Sequence, residues 1–200
     1  MAFWTEKLEA GVRDPKRSFR FIIRLTSFNQ SHLWFAKSVD KPNWTTNAIE
    51  HMYLNHKFNF PGRTEWSPIS CKIVDPVSPD AISTLAAITS LSGYHPPTNP
   101  GDLTTTAKSL AVSALGNVVI SQIDWEGKEI EKWTLWNAFL TKVTPSALDY
   151  GTEDMSEIDM EFTYDWATLE VLTDGADGTD ISGQKKFWST DGSTDPYPGS

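Results

Sequence analysis

Residues 156–166 read SEIDMEFTYDW, and every second residue is apolar. Ile158, Met160, Phe162, Tyr164 and Trp166 form one set; Glu157, Asp159, Glu161, Thr163 and Asp165 form the other. Successive strand side chains point to opposite faces, so this period of two predicts one apolar face and one wet face. Burial of five such residues contributes on the order of 10 kcal/mol. That term fixes the register, because a slip by one residue would drive the carboxylates into the core. The alternation explains which face is wet. It leaves open why the wet face carries four carboxylates with no Lys or Arg among them.

Charge is unevenly placed along the whole chain of 200 residues, whose formal net charge is −9. The first 37 residues carry Lys7, Arg13, Lys16, Arg17, Arg20, Arg24 and Lys37 against three acids. Between Val143 and Gln184 there are eleven acids and no Lys, Arg or His. A block of one sign repels itself unless it is solvated or meets a basic partner. The single cysteine, Cys71, excludes an internal disulfide framework and predicts synthesis in a reducing compartment. Its parity with Ile69 and Ile73 predicts a small core residue. No run is long and apolar enough to cross a bilayer as a helix, and the N-terminus has no apolar run of signal-peptide type.

The other elements follow from the same reading. RSFRFIIRLTSF predicts a first strand with Phe19, Phe21, Ile23 and Leu25 on one face, and LWFAKSVDKPNW a second, stopped by Pro42. Residues 51–76 predict a long hairpin in which Met52, Leu54, Phe58 and Phe60 share a parity and Pro61-Gly62 marks the turn. Ser78 as N-cap, Pro79 at the first position and Gly93 past the end delimit a helix with Ile82, Leu85 and Ile88 or Leu91 as its stripe. A weaker helix is expected over 105–115, ended by Gly116. Residues 117–143 predict two strands about a turn at Glu126-Gly127, with Trp133, Leu135 and Phe139 on one face of the second. Residues 173–200, rich in Gly, Asp, Ser and Thr, read as a flexible extension through which Phe187 and Trp188 could dock. The expected organisation is an N-terminal arm over 1–16, a β-sandwich domain over 17–172 and the extension over 173–200. The fold class is mainly β: an antiparallel sandwich or barrel with one flanking helix and a protruding hairpin.

Catalytic and metal-binding patterns are scarce. His32, His51, His56 and His95 have no partners at metal-ligand spacing, and there is no nucleophile elbow, phosphate loop or dinucleotide fingerprint. DGADGTD lacks the spacing and terminal glutamate of an EF-hand and reads as linker. Glu157 with Asp159 or Glu161 could form a glycosidase pair, but a uniform exposed row offers nothing to separate their pKa values. No cofactor, metal or catalytic residue is expected. Nine Trp also suit a carbohydrate-binding β-sandwich, which should cluster them in one groove.

The succession LG and a hydrophobic strand, the turn Asp124 to Gly127, WTLWNAF from Trp133, LDYG from Leu148 and EIDMEFTYD from Glu157 has a specific order. With RFIIRL, LWFAKSVDKP and FPGRTEWSPISCKIVDP before it, it resembles the tail tube proteins of contractile-tailed bacteriophages over residues 17–171. The resemblance implies a structural virion protein, not an enzyme, assembled in the host cytoplasm. It implies hexameric rings whose strands join into one continuous barrel, stacked as a tube inside a sheath. Its implied partners are further copies of itself, the tail sheath protein, baseplate or tube-initiator and terminator proteins, and genomic DNA passing without specific binding. A tube initiator or terminator of the same fold is the alternative. On this reading Glu157, Asp159, Glu161 and Asp165 are expected to face the channel and repel DNA, or else to face a basic sheath. Phe58, Phe60, Pro61 and Gly62 are expected to pack on the adjacent ring.

Overall fold

A computed structural model describes residues 16–27, 36–78, 80–98, 104–173 and 183–187. The strands are β1 (Phe21–Leu25), β2 (Ala36–Val39), β3 (Trp44–Tyr53), β4 (His56–Trp66), β5 (Ile69–Val74), β6 (Val118–Ile123), β7 (Glu129–Trp136), β8 (Phe139–Pro145), β9 (Glu157–Thr163), β10 (Trp166–Thr173) and β11 (Gly183–Phe187). Helices α1 (Ala81–Leu91) and α2 (Lys108–Leu115) lie between β5 and β6. One antiparallel sheet has the order β1-β6-β7-β10-β11, a second β2-β5-β9-β8, and β3-β4 stands apart as a two-stranded hairpin. The mainly β architecture expected from the sequence is thus observed.

The two larger sheets close on a common core. Ile23, Leu25, Val118, Ile120, Trp133 and Leu135 from the first meet Ile69, Cys71, Ile73, Ile158, Met160 and Phe162 from the second. In β9 the alternation holds residue by residue: Ile158, Met160 and Phe162 are buried, and Glu157, Asp159 and Glu161 are not. Cys71 is buried, and burial pushes its thiol up to about 12. Ala81, Leu85 and Ile88 of α1, spaced by four and three residues, complete the core with Leu115 of α2.

Several boundaries differ from the sequence expectation. The alternating segment does not run straight to Trp166. β9 stops at Thr163 in the second sheet, and the chain resumes as β10 in the first. The expected second strand of residues 117–143 is likewise two, β7 in the first sheet and β8 in the second. The two crossings lie side by side, with Asp165 N donating to Trp136 O at 3.1 Å. Asn137 adopts φ +54 at one crossing, a region open to Asn at low cost. The buried positions change parity at each crossing, from Trp133 and Leu135 to Ala138 and Leu140, and from Phe162 and Tyr164 to Ala167. Phe139 therefore does not share the face of Trp133 and Leu135; it pairs with Thr163, and Leu140 with the buried Phe162. Phe19 is 72% exposed and precedes β1.

Asp80, not Ser78, caps α1: its Oδ1 accepts from Ile82 N at 3.1 Å and Ser83 N at 3.4 Å. α2 starts at Lys108 and ends at Gly116, whose φ of +70 suits glycine and whose Cβ would lie 2.8 Å from that of Thr26. Residues 183–187 of the extension form β11, paired antiparallel with β10; Trp188 lies outside the described residues.

Candidate assembly surfaces

The hairpin β3–β4 turns at Leu54-Asn55, with Leu54 at φ +53, and not at Pro61-Gly62. Pro61 lies inside β4 opposite Ala48, next to a register shift between Thr46 and Ala48. A bulge tolerates the missing N–H of proline. Gly62 is needed there because a Cβ would lie 2.9 Å from Asn47 O. The tight turn also changes which side chains meet. Tyr53 pairs with His56, His51 with Phe58 and Ile49 with Phe60, so these six share one face. Met52 pairs with Lys57 and lies on the other face, with the Glu50–Lys57 ion pair and Pro61. Met52, Phe58 and Phe60 therefore do not share a face, since parity does not carry through this turn. Phe58 and Phe60 are half exposed.

The root of the hairpin is anchored by aromatics. Trp44 packs on Trp66 and Trp133 at centroid distances of 5.3 and 6.4 Å, and Trp66 on Tyr164 at 6.0 Å. Beside it lies a charged cluster that alternation alone would assign to the core. Glu131 shares its parity with Trp133 and Leu135 and is 7% exposed. Burial pushes its pKa upward, but bonds from Lys16, Lys41 and Trp133 outweigh this and hold it at about 2. Lys41 Nζ lies 2.8 Å from Glu131 Oε1 and 2.7 Å from Gln122 Oε1; Trp133 Nε1 donates to the same Glu131 oxygen at 2.6 Å; Lys16 pairs with Oε2. The sequence signal for this site was a carboxylate at a core position, which requires partners.

The carboxylate row is not bare. Lys37 and Lys72 pair with Glu157, Lys72 Nζ lies 3.3 Å from Asp159 Oδ1, and Lys142 stands opposite Glu161 in register. Lys37 holds the Glu157 carboxyl below its ordinary range, and the bond to Asp159 raises the Lys72 ammonium. Three acids of β9 thus share the outer face of the second sheet with three lysines from β2, β5 and β8. These lysines are remote in sequence, so the local run looked uniformly negative. Asp165 does not belong to the row. It lies at the sheet crossing, where Lys108 Nζ is 2.7 Å from both its oxygens and Asn137 Nδ2 donates at 2.8 Å. Lys108 accordingly lowers its pKa.

At the far end of the second sheet, the loop over 146–156 borders a cavity of 770 Å³. Leu148, Tyr150 and Met155 are exposed there, interspersed with Asp149, Glu153 and Asp154. Among the described residues no cluster of His, Cys, Asp and Glu could hold a metal ion, and no helix is long and apolar enough to cross a membrane.

No protein-family model and no curated protein matches the sequence. Solved structures do. The chain is similar to one in the tube-terminating cap of the anti-feeding prophage, at 18% identity and a TM-score of 0.60, covering 86% of this chain and 99% of that one. It is similar to a chain of the sheath-tube complex of an extracellular contractile injection system, PVC, at 18% identity and a TM-score of 0.59, covering 80% and 94%. A chain of that system's sheath/tube terminator gives 18%, 0.58, 79% and 98%. The protein therefore has the fold found in chains of contractile injection systems.

Proposed function

We propose that this chain is a structural subunit of the inner tube of a contractile phage tail, not an enzyme. The observation that carries the reading is the likeness, over 79% to 86% of this chain, to chains of a sheath-tube complex and of tube terminators, joined to a hairpin with both faces exposed. In this reading six copies form a ring, and rings stack into a tube that conducts DNA inside a sheath in the virion. The tail sheath protein, baseplate proteins and a terminator are its partners. Tryptophans at the hairpin root and the stacked pair Trp136–Trp166 (6.3 Å) serve packing, which disfavours the sugar-binding alternative.

The outer face of the second sheet, with Glu157, Asp159 and Glu161, lines the channel. Its interleaved lysines make it a balanced mosaic, which neither grips DNA nor repels it strongly. Electron microscopy of the purified full chain at micromolar concentration tests the reading: rings or tubes are expected, and a monomer at every concentration would refute it. A second reading, a terminating cap, is favoured by the 99% coverage of the anti-feeding prophage cap chain. Isolated rings that never lengthen would select it.

A further inference from the structure

We propose that β11 is an edge guard: it occupies the outer edge of β10 in the first sheet and so keeps that edge from pairing with the β10 of a second copy. The inference goes beyond the assembly reading and stands without it, because it concerns a strand that each chain supplies to itself.

The two large sheets end in four edge strands, β1 and β11 in the first and β2 and β8 in the second. Without the pairing of residues 183–187, β10 would be an edge in place of β11. β7 takes one side of β10 from Trp166 to Val171. β11 takes the other side from Leu169 to Thr173, antiparallel, with Leu169 opposite Phe187, Val171 opposite Lys185 and Thr173 opposite Gly183. The tail-tube resemblance covers residues 17–171, so β11 is an addition to the part of the chain that carries it.

The two strands differ in what they would present as an edge. β10 reads WATLEVLT, eight residues without Gly or Pro, and Trp166, Thr168, Val171 and Thr173 are aromatic or β-branched. Its one charge is already neutralised, since Lys132 Nζ lies 3.2 Å from Glu170 Oε2. A strand of that length, β propensity and charge, with a row of unpaired N–H and C=O groups, is a template for another chain. β11 reads GQKKF, five residues with two adjacent lysines and a glycine. Short edges carrying Lys pair poorly with further strands. β1, at the opposite edge of the sheet, is also five residues long and carries a cation, Arg24. Adding β11 thus replaces a long, nearly uncharged edge by a short, cationic one.

Connectivity and charge both favour the chain's own β11 over a second copy. Nine residues, 174–182, separate β10 from β11 in the sequence. The pairing is therefore intramolecular, with an effective concentration on the order of millimolar. A second copy at micromolar concentration competes poorly against that. Lys186 stands opposite Glu170 in register. Two β10 strands, each with Glu170 as its one charge, cannot form such a pair of opposite sign. Left uncovered, two β10 edges would meet about a two-fold axis, because a self-complementary edge closes as a dimer.

The full chain carrying Lys185→Pro and Lys186→Pro tests the guard. Adjacent strand N–H groups point to opposite sides, so one of the two prolines removes a bond to β10. Amide exchange over residues 169–173 should quicken on the order of tenfold or more, while β5 and β9 stay as protected as in the unmodified chain. Sedimentation should show dimers at dilutions where the unmodified chain runs as a monomer, and the peptide GQKKFW in excess should disperse them. A variant whose 169–173 amides open but which stays monomeric there would overturn the guard. Amides that stay protected would overturn it as well, since β11 would not be what seals β10. If the proline variant unfolds, the full chain carrying Val171→Cys and Lys185→Cys decides, with Cys71 buried and out of the way. Opposite residues of an antiparallel pair lie about 4.5–5.5 Å apart at Cα, within disulfide reach. Oxidation should link them within one chain and slow association on agitation several-fold. No link within the chain, or an unchanged rate, would overturn the guard. Whether the unmodified chain forms rings or tubes bears on the assembly reading alone.

Discussion

The sandwich and the hairpin follow opposite rules. In β5, β7 and β9 alternate side chains are buried, and the two large sheets cover each other. In the hairpin nearly every residue from Trp44 to Trp66 is exposed, and among the described residues no third strand joins it. A lone two-stranded ribbon is marginal in water. The sandwich satisfies itself, whereas the hairpin has surface left over for something else. One sequence thus encodes a part that covers its own apolar surface and a part that leaves it exposed.

Substitutions should separate the two. The largest effect on folding is expected from Phe162→Ala at the centre of the core, about 3–5 kcal/mol in urea unfolding; a loss below about 1 kcal/mol would show that the sheets are not packed as described. Next is Glu131, which ties Lys16 and Lys41 to β7. Its folded pKa of about 2 lies below the ordinary 4.5, so its contribution is fully present above about pH 4.5 and lost as the pH falls towards 2. That difference is on the order of 3 kcal/mol, and Glu131→Gln should flatten acid unfolding over that range. Leu54→Gly should stabilise the hairpin by about 1 kcal/mol, because it relieves a left-handed conformation in a non-glycine residue; slower amide exchange in β3 and β4 alone would show it. Phe58→Ser with Phe60→Ser should change monomer stability by no more than about 0.5 kcal/mol each. If their exposed face serves contact, the same pair should abolish higher assembly in sedimentation.

The sequence revealed the sandwich more fully than the hairpin, for a physical reason. Alternation in 158–162 and 69–73 reports burial against the chain's own core, and burial was correctly assigned. At Asn137 and Asp165 the buried parity shifts to Ala138 and Ala167 as the sheet changes, but apolar Phe139 and Trp166 kept up the old spacing in the sequence and hid the crossings. At Leu54 no glycine or proline announced the turn, and Pro61-Gly62 drew attention to a bulge instead. The lysines facing Glu157 and Asp159 come from strands remote in sequence. Only pairing brings them together, so a run of acids looked uncompensated. Glu131 was legible in principle, as a carboxylate in step with Trp133 and Leu135.

The paired crossings at Asn137 and Asp165 have a mechanical consequence. Two covalent segments pass between the sheets at one place, bonded to each other through Asp165 N and Asn137 Nδ2 and clamped by Lys108. A force pulling the sheets past each other would load both segments in parallel, and neither sheet could slide until the corner broke. A shearing load between the two sheets would accordingly find the sandwich stiff, with yielding left to the hairpin that no sheet covers.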